Sequence, residues 1–231
     1  MANEIAVVLI SGGMDSALSA GIAIDMRFDI AALHLNYGQK TQMRELKSYT
    51  DICDFYNIEQ RLIVDVNHLS AIGGSSLTSP DIEVDKANLN NNEIPSSYVP
   101  FRNANILSIA VSWAEVIGAK AIFIGAMQLD NSGYPDCRRE FFDAFEKTIE
   151  LGTKAGTSIK IFTPLINMTK KEIVVMGDDI GVPFHLTWSC YSDSEIACGV
   201  CDSCALRLRG FQQAGISDPL EYKQIPDYLN F

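Results

Sequence analysis

The sequence predicts an α/β fold in which a parallel sheet of about five strands carries helices on both faces. Three observations predict it. There are five short strand-like runs, most of them continuously apolar and rich in branched residues, as strands covered on both faces are. Helical stretches alternate with them, the pattern of a parallel sheet built from strand–helix–strand units. The first run stops at a pair of glycines that open a helix. With 231 residues, 47% of them hydrophobic and 20% charged, the chain can bury a substantial core.

The strands are expected from Ile5 to Ile10, Ile30 to Leu35, Arg61 to Val66, Ala121 to Gly125 and Ile159 to Phe162. Between the second and third, Thr41 to Tyr56 places Leu46, Tyr49, Cys53 and Tyr56 on one helical face. Gly73 to Ser97 is rich in glycine, serine and asparagine and reads as a long loop. It is either a lid or binding segment, or a disordered insertion. Arg102 to Ile117 is apolar nearly all round, which suits a buried crossover helix. Phe141, Phe142, Phe145 and Ile149 form the inward stripe of the next helix, and Thr169-Lys170-Lys171-Glu172 is a capping box that opens another. Residues 1–185 are expected to form the α/β domain, with residues 186–231 a small helical segment packed on it.

Function is first legible at Ile10-Ser11-Gly12-Gly13-Met14-Asp15-Ser16-Ala17. Gly12 and Gly13 let backbone N–H groups face a ligand, Ser11 and Ser16 add hydroxyl donors, and the following helix presents its positive end. This is a phosphate cradle. No Gly-Lys-Ser/Thr follows, so it is not the lysine-bearing P-loop. Asp15 would repel phosphates unless it holds Mg²⁺; otherwise it is an acidic residue favoured at a helix start.

Cys190, Cys198, Cys201 and Cys204 have the spacing C-x7-C-x2-C-x2-C. Four thiolates close a tetrahedral zinc site and leave no position for water, so the metal would be a structural staple. The spacing departs from the bacterial ferredoxin run, which favours zinc over an iron–sulfur cluster. Cys53 belongs to the core of its helix, Cys137 to a candidate active-site loop, and the three histidines are read as structural or surface residues.

The Ser-Gly-Gly-x-Asp-Ser loop resembles the pyrophosphate-loop ATPases. With Ile94 to Ser108 (IPSSYVPFRNANILS), Asp130 to Phe141 (DNSGYPDCRREF) and the cysteine segment, the chain more narrowly resembles the 7-cyano-7-deazaguanine synthase family of queuosine biosynthesis, from the first strand to about Asp218. Arg139, Phe101 and Ser97 stand where proline, a smaller residue and threonine are usual. The resemblance implies an ATP-dependent carbon–nitrogen ligase that converts 7-carboxy-7-deazaguanine and ammonia to the nitrile through adenylated carboxylate and amide intermediates. It implies adenosine between the phosphate loop and Asn36-Tyr37-Gly38-Gln39. Asp15, Ser16 and Arg138 would be catalytic, and Arg102, Asn103, Asp136 and Arg138 would bind the substrate. Asp136 is the candidate for the guanine-like edge; the plainer alternatives are a cap for Asp136 and surface pairing for the arginines.

A net charge of −11 with only 18 Lys+Arg argues against a nucleic-acid partner and so against a tRNA-modifying relative of the same superfamily. A non-catalytic ATP-binding module is the other alternative. No apolar run reaches the ~20 residues of a membrane span, and the amino end lacks a signal-peptide pattern, so a cytoplasmic location is expected. The chain leaves no room for a glutaminase domain, which points to free ammonia. A homodimer is compatible with the sequence.

Overall fold

The computed structural model describes residues 3–89, 93–128 and 133–229. Five strands, β1 (Ile5–Leu9), β2 (Asp29–Asn36), β3 (Gln60–Asp65), β4 (Ala121–Phe123) and β5 (Lys160–Phe162), form one sheet in the order β3-β2-β1-β4-β5. Every pairing is parallel, as the alternation of strands and helices predicts.

Alternation along β1 sets the two cores. Val7 and Leu9 face one side, where helices α4 (Arg102–Ile117) and α5 (Arg139–Gly152) cover the sheet with Leu107, Ala110, Phe142 and Ile149. Ala6 and Val8 face the other, against α1 (Met14–Asp25), α2 (Gln42–Phe55) and α6 (Lys170–Asp179). The short α3 (His68–Ile72) follows β3, and α7 (Asp202–Ala214) adds Phe211 to the second core. No helix among the described residues is long and apolar enough to cross a membrane.

Two expectations need correction. α4 is not buried all round: Leu107, Ala110 and Ala114 are inside, but Ser108, Ser112 and Val116 are exposed, Val116 at 80%. Its serines recur on the outward face, and the half-buried Ile109 and Val111 on its flanks mask an ordinary amphipathic pattern. The described part of the 73–97 segment is no loose insertion. Ser75, Ser76, Leu77 and Ser97 are buried, Lys86 bridges antiparallel to Cys201, and the Ala87 N–H donates to the Val200 carbonyl at 2.8 Å. Residues 90–92 of that segment lie outside the described residues.

The order β3-β2-β1-β4-β5 reverses direction at β1, so the loops after β1 and β4 diverge and leave a crevice at the carboxyl edge of the sheet. The phosphate-loop candidate lies there.

Candidate active site and metal centre

The loop between β1 and α1 is held by its own serines. Ser16 Oγ donates to the Gly13 carbonyl at 2.9 Å and accepts from the Ser11 N–H and hydroxyl, each at 3.2 Å. No side chain caps α1, so its first-turn N–H groups are left for a ligand. Gly12 has φ +94°, and a Cβ there would sit 2.6 Å from the Glu45 carbonyl; only glycine fits. Gly125, after β4, runs so close to α1 that a Cβ would meet the Asp15 carbonyl at 2.8 Å.

Beyond this loop lie two adjoining chambers, of about 250 Å³ and about 160 Å³. The larger is walled by Ile10, Ser11, Gly13, Met14, Asp15 and Ser16. Leu33 and Tyr37 from β2 and its loop, Ile106 from α4 and Trp188 extend it. The smaller chamber shares Asp15, Arg102, Cys137, Lys170 and Tyr191 with the larger and adds Tyr134 and Asp202.

Of the eight residues expected to hold phosphates, six line the larger chamber. Gly12 and Ala17 do not: Gly12 is the tight turn, its carbonyl accepting from the Trp188 N–H at 2.8 Å, and Ala17 is fully buried in the core. Arg102 and Asn103, at the start of α4, both reach the chamber. Arg102 donates to the Tyr37 hydroxyl at 3.2 Å and lies over that ring. Burial works against its charge, but the phenols of Tyr37, Tyr191 and Tyr134 outweigh this and raise its pKa. Burial pushes the Glu45 carboxyl up, and it accepts from Thr41 at 2.7 Å and Gln39 at 3.1 Å, which brace the loop after β2.

Asp136 and Arg138 are placed differently from the expectation. The Asp136 carboxylate accepts the Asn103 backbone N–H at 2.9 Å, while the Asn103 amide donates to the Asp136 carbonyl. Asp136 therefore caps the start of α4, a positive helix end that attracts a carboxylate, and it lines neither chamber. Arg138 turns outward, its Nε donating to the Pro135 carbonyl at 3.1 Å. Residues 129–132 of the same motif lie outside the described residues. Arg139 pairs with Asp143 and reaches Thr163, and Ser97 bonds the Tyr134 hydroxyl at 2.9 Å. Phe101, exposed and left-handed at φ 56°, packs on Phe141. His34 is buried beside Tyr49 with Nδ1 2.8 Å from the Ile10 carbonyl, and burial lowers its pKa, so it is a neutral structural group.

Sequence reasoning missed two cations. Lys170 Nζ donates to both Asp15 oxygens at 2.7 Å. An ammonium thus faces Asp15, a partner that the sequence did not reveal. Gly210 of α7 makes room for it, since a Cβ there would stand 2.8 Å from the Lys170 Cβ. A signal was available: a lysine in the first turn of α6 faces the positive helix end, so it needs a nearby anion.

Arg207 was also missed. It is 1% exposed and forks onto Asp218 at 2.8 and 2.9 Å, while donating to Thr187 at 2.6 Å. Its place beside Cys204, Leu208 and Phe211 on the buried face of α7 signals a required carboxylate partner. Arg207→Met should cost about 3–5 kcal/mol, because it leaves the Asp218 carboxylate buried without a cation. Adding Asp218→Leu should recover much of the loss, as read from urea midpoints. No recovery would mean that the pair's other hydrogen bonds dominate.

The four sulfurs of Cys190, Cys198, Cys201 and Cys204 lie within 4.8 Å of one another. Backbone N–H groups of Ser192 and Cys198 point at the Cys190 sulfur, and those of Val200 and Cys201 at Cys198, at 3.3–3.4 Å. Such N–H···S contacts favour thiolates, so the donor set fits a metal ion. The carboxyl tail closes over this knuckle: the Tyr228 hydroxyl donates to the Gly199 carbonyl at 2.9 Å, and Ala197 bridges to Tyr222.

Residues 5–215 match the family described as queuosine biosynthesis protein QueC. The 7-cyano-7-deazaguanine synthase of Chloroherpeton thalassium is 59% identical over 224 residues, covering 97% of this chain and 99% of that protein. That of Chlorobaculum parvum is 58% identical over the same length, with the same coverage. Among solved structures, NMN synthetase from Francisella tularensis is similar at 19% identity and a TM-score of 0.47, covering 99% of this chain and 77% of that one. Matched over most of its length by the family, and sharing this identity with full-length relatives, the chain belongs to the QueC family of queuosine biosynthesis proteins.

Proposed function

We propose that the protein is an ATP-dependent ligase that turns 7-carboxy-7-deazaguanine and ammonia into 7-cyano-7-deazaguanine. The observation that carries this reading is the pair of chambers meeting at Asp15, Lys170 and Arg102 beside the uncapped start of α1. One chamber suits a nucleotide and the other a flat, polar base, and the phosphate loop lies where they join.

A carboxylate is a poor electrophile because its leaving group would be oxide. The substrate carboxylate attacks the α-phosphorus of ATP and expels pyrophosphate. Ammonia then attacks the acyl adenylate and expels AMP, giving the amide. The amide oxygen takes AMP from a second ATP in the same way, and loss of AMP and the remaining N–H proton leaves the nitrile. In both rounds, α1 N–H groups and Lys170 stabilise charge on the phosphates, and Ser16 keeps the loop in shape. Arg102, shared by both chambers, is assigned to the substrate carboxylate, with Asn103 beside it. Adenosine is assigned to the cleft between the phosphate loop and Tyr37.

Mg²⁺ enters with the nucleotide. Zinc is assigned to the four cysteines of residues 186–231, as a staple on the ATP-binding domain of residues 1–185. The net charge of −11 supports small-molecule partners over nucleic acid, and reduced thiols together with ATP chemistry support a cytoplasmic location.

The test is a product assay with 7-carboxy-7-deazaguanine, ammonium and MgATP. AMP, pyrophosphate and the nitrile are expected; ADP and orthophosphate as the sole nucleotide products would overturn the proposal.

A further inference from the structure

If the proposed substrate binds in the smaller chamber, something there must accept the N1–H and exocyclic amine of its guanine-like edge. A carboxylate is the natural partner, since each of its oxygens accepts one of the two donors. Asp136 is spent on α4 and lines neither chamber. Among the described residues the smaller chamber holds two carboxylates, Asp15 and Asp202. Asp15 is ion-paired to Lys170 through both oxygens and lies in the first turn of α1, at the phosphate loop, so it is assigned to the nucleotide side.

We propose that Asp202 reads the guanine-like edge and that the four-cysteine knuckle aims it. The inference rests on the functional reading above. Asp202 opens α7 directly after Cys201 and two residues before Cys204, so two metal ligands fix the backbone on either side of it. The bridge between Lys86 and Cys201 holds the 73–97 segment against the knuckle, and the backbone N–H of Asn88 donates to the Asp202 carboxylate. That bond orients the carboxylate and leaves acceptor sites free, because an ionised carboxylate offers about four. Tyr134 and Tyr191 supply aromatic walls, and Arg102 and Lys170 supply positive charge. The chamber thus carries an acceptor for N–H donors and cations for a carboxylate, the polarity of a 7-carboxy-7-deazaguanine.

This gives the metal a second role beyond stability. A loop so polar would otherwise hold Asp202 in many orientations, and binding would have to order it.

The experiment uses the full-length, metal-loaded protein and compares 7-carboxy-7-deazaguanine with its analogue lacking the exocyclic amine. Wild type should prefer the parent substrate about tenfold or more in kcat/KM, the loss expected when a buried acceptor goes unpaired. Asp202→Asn, which turns one acceptor into a donor, should lose ten- to hundredfold on the parent substrate, treat the two substrates within about twofold, and keep its KM for ATP. Asp202→Ser is the second variant and should show the same flattening. Metal content and melting temperature are measured on each, because a purely structural role would lower these without changing the preference. Wild-type preference in either folded variant overturns the inference. Wild type that forms no AMP with the parent substrate overturns the functional reading instead, so the two failures are separable.

Discussion

Replacing Lys170 with methionine should lower kcat for AMP formation by about a hundredfold to a thousandfold while the protein stays folded. The magnitude follows from where the ammonium lies. Lys170 Nζ is 2.7 Å from both Asp15 oxygens, at the start of α1 where the two chambers meet, and its side chain is only 9% exposed. A donor held there before substrate arrives costs no reorganisation when pyrophosphate leaves. Removing one such preorganised donor from a catalytic site has an effect of this size. Methionine keeps most of the aliphatic stem that packs near Gly210, so the packing change is small. Asp15, 30% exposed, can recover water, so the stability loss should stay near 1 kcal/mol or below. Asp15→Asn is the control: it frees Lys170 from its partner and should weaken turnover less than Lys170→Met does. Stopped-flow measurement of AMP at saturating substrates would decide it. A kcat within about threefold of wild type would reduce Lys170 to a structural counter-ion of Asp15.

How much of this was legible in the sequence depended on whether the signal was local. The sheet was legible because parallel strands covered on both faces read as nearly unbroken apolar runs: β1 is apolar throughout, and β2 is so from Ile30 to Leu35 except at His34. The phosphate loop was legible because φ +94° at Gly12 and the close passage of the Glu45 carbonyl admit only glycine. The cysteines were legible because their close spacing brings four sulfurs within 4.8 Å with little help from the rest of the chain. Lys170 lies 155 residues from Asp15, so no spacing could pair them. Asp136 and Asp202 show the same limit more sharply. Each is an aspartate beside a cysteine, and only the docking of α4 decides that the first becomes a cap. α4 itself misled because its outward serines are outnumbered by branched residues.

Cys201→Ser should cost the protein its metal and with it the order of the whole carboxyl segment. Cys201 is buried, and it is the N-cap of α7 and the bridge partner of Lys86, which ties the 73–97 segment down as a strap over the knuckle. Structural zinc sites of four ligands contribute about 10–16 kcal/mol of apparent binding energy in small peptides, as much as or more than the ~5–15 kcal/mol that stabilises an ordinary domain. Even a modest share of that, lost here, would release the tail held by Tyr228 and Tyr222 and loosen the strap across residues 86–88. The α/β body should fare better, because the sheet buries its two faces against α1, α2, α4 and α5 without the knuckle. The expected pattern is therefore regional: hydrogen exchange rises steeply in residues 186–229 and 73–89, while β1 and β2 remain protected. Chelating the metal from wild type should reproduce it, and elemental analysis of untreated protein should find zinc near one per chain. A closed four-thiolate site would hold no water, so no step of the proposed reaction would pass through the metal. The kinetic trace of its loss should be a raised KM for the deazaguanine acid, through a misaimed Asp202, with the KM for ATP nearly unchanged. Unaltered exchange in residues 186–229 after full metal removal would show that Arg207, Asp218 and the tail's own hydrogen bonds suffice to hold the segment.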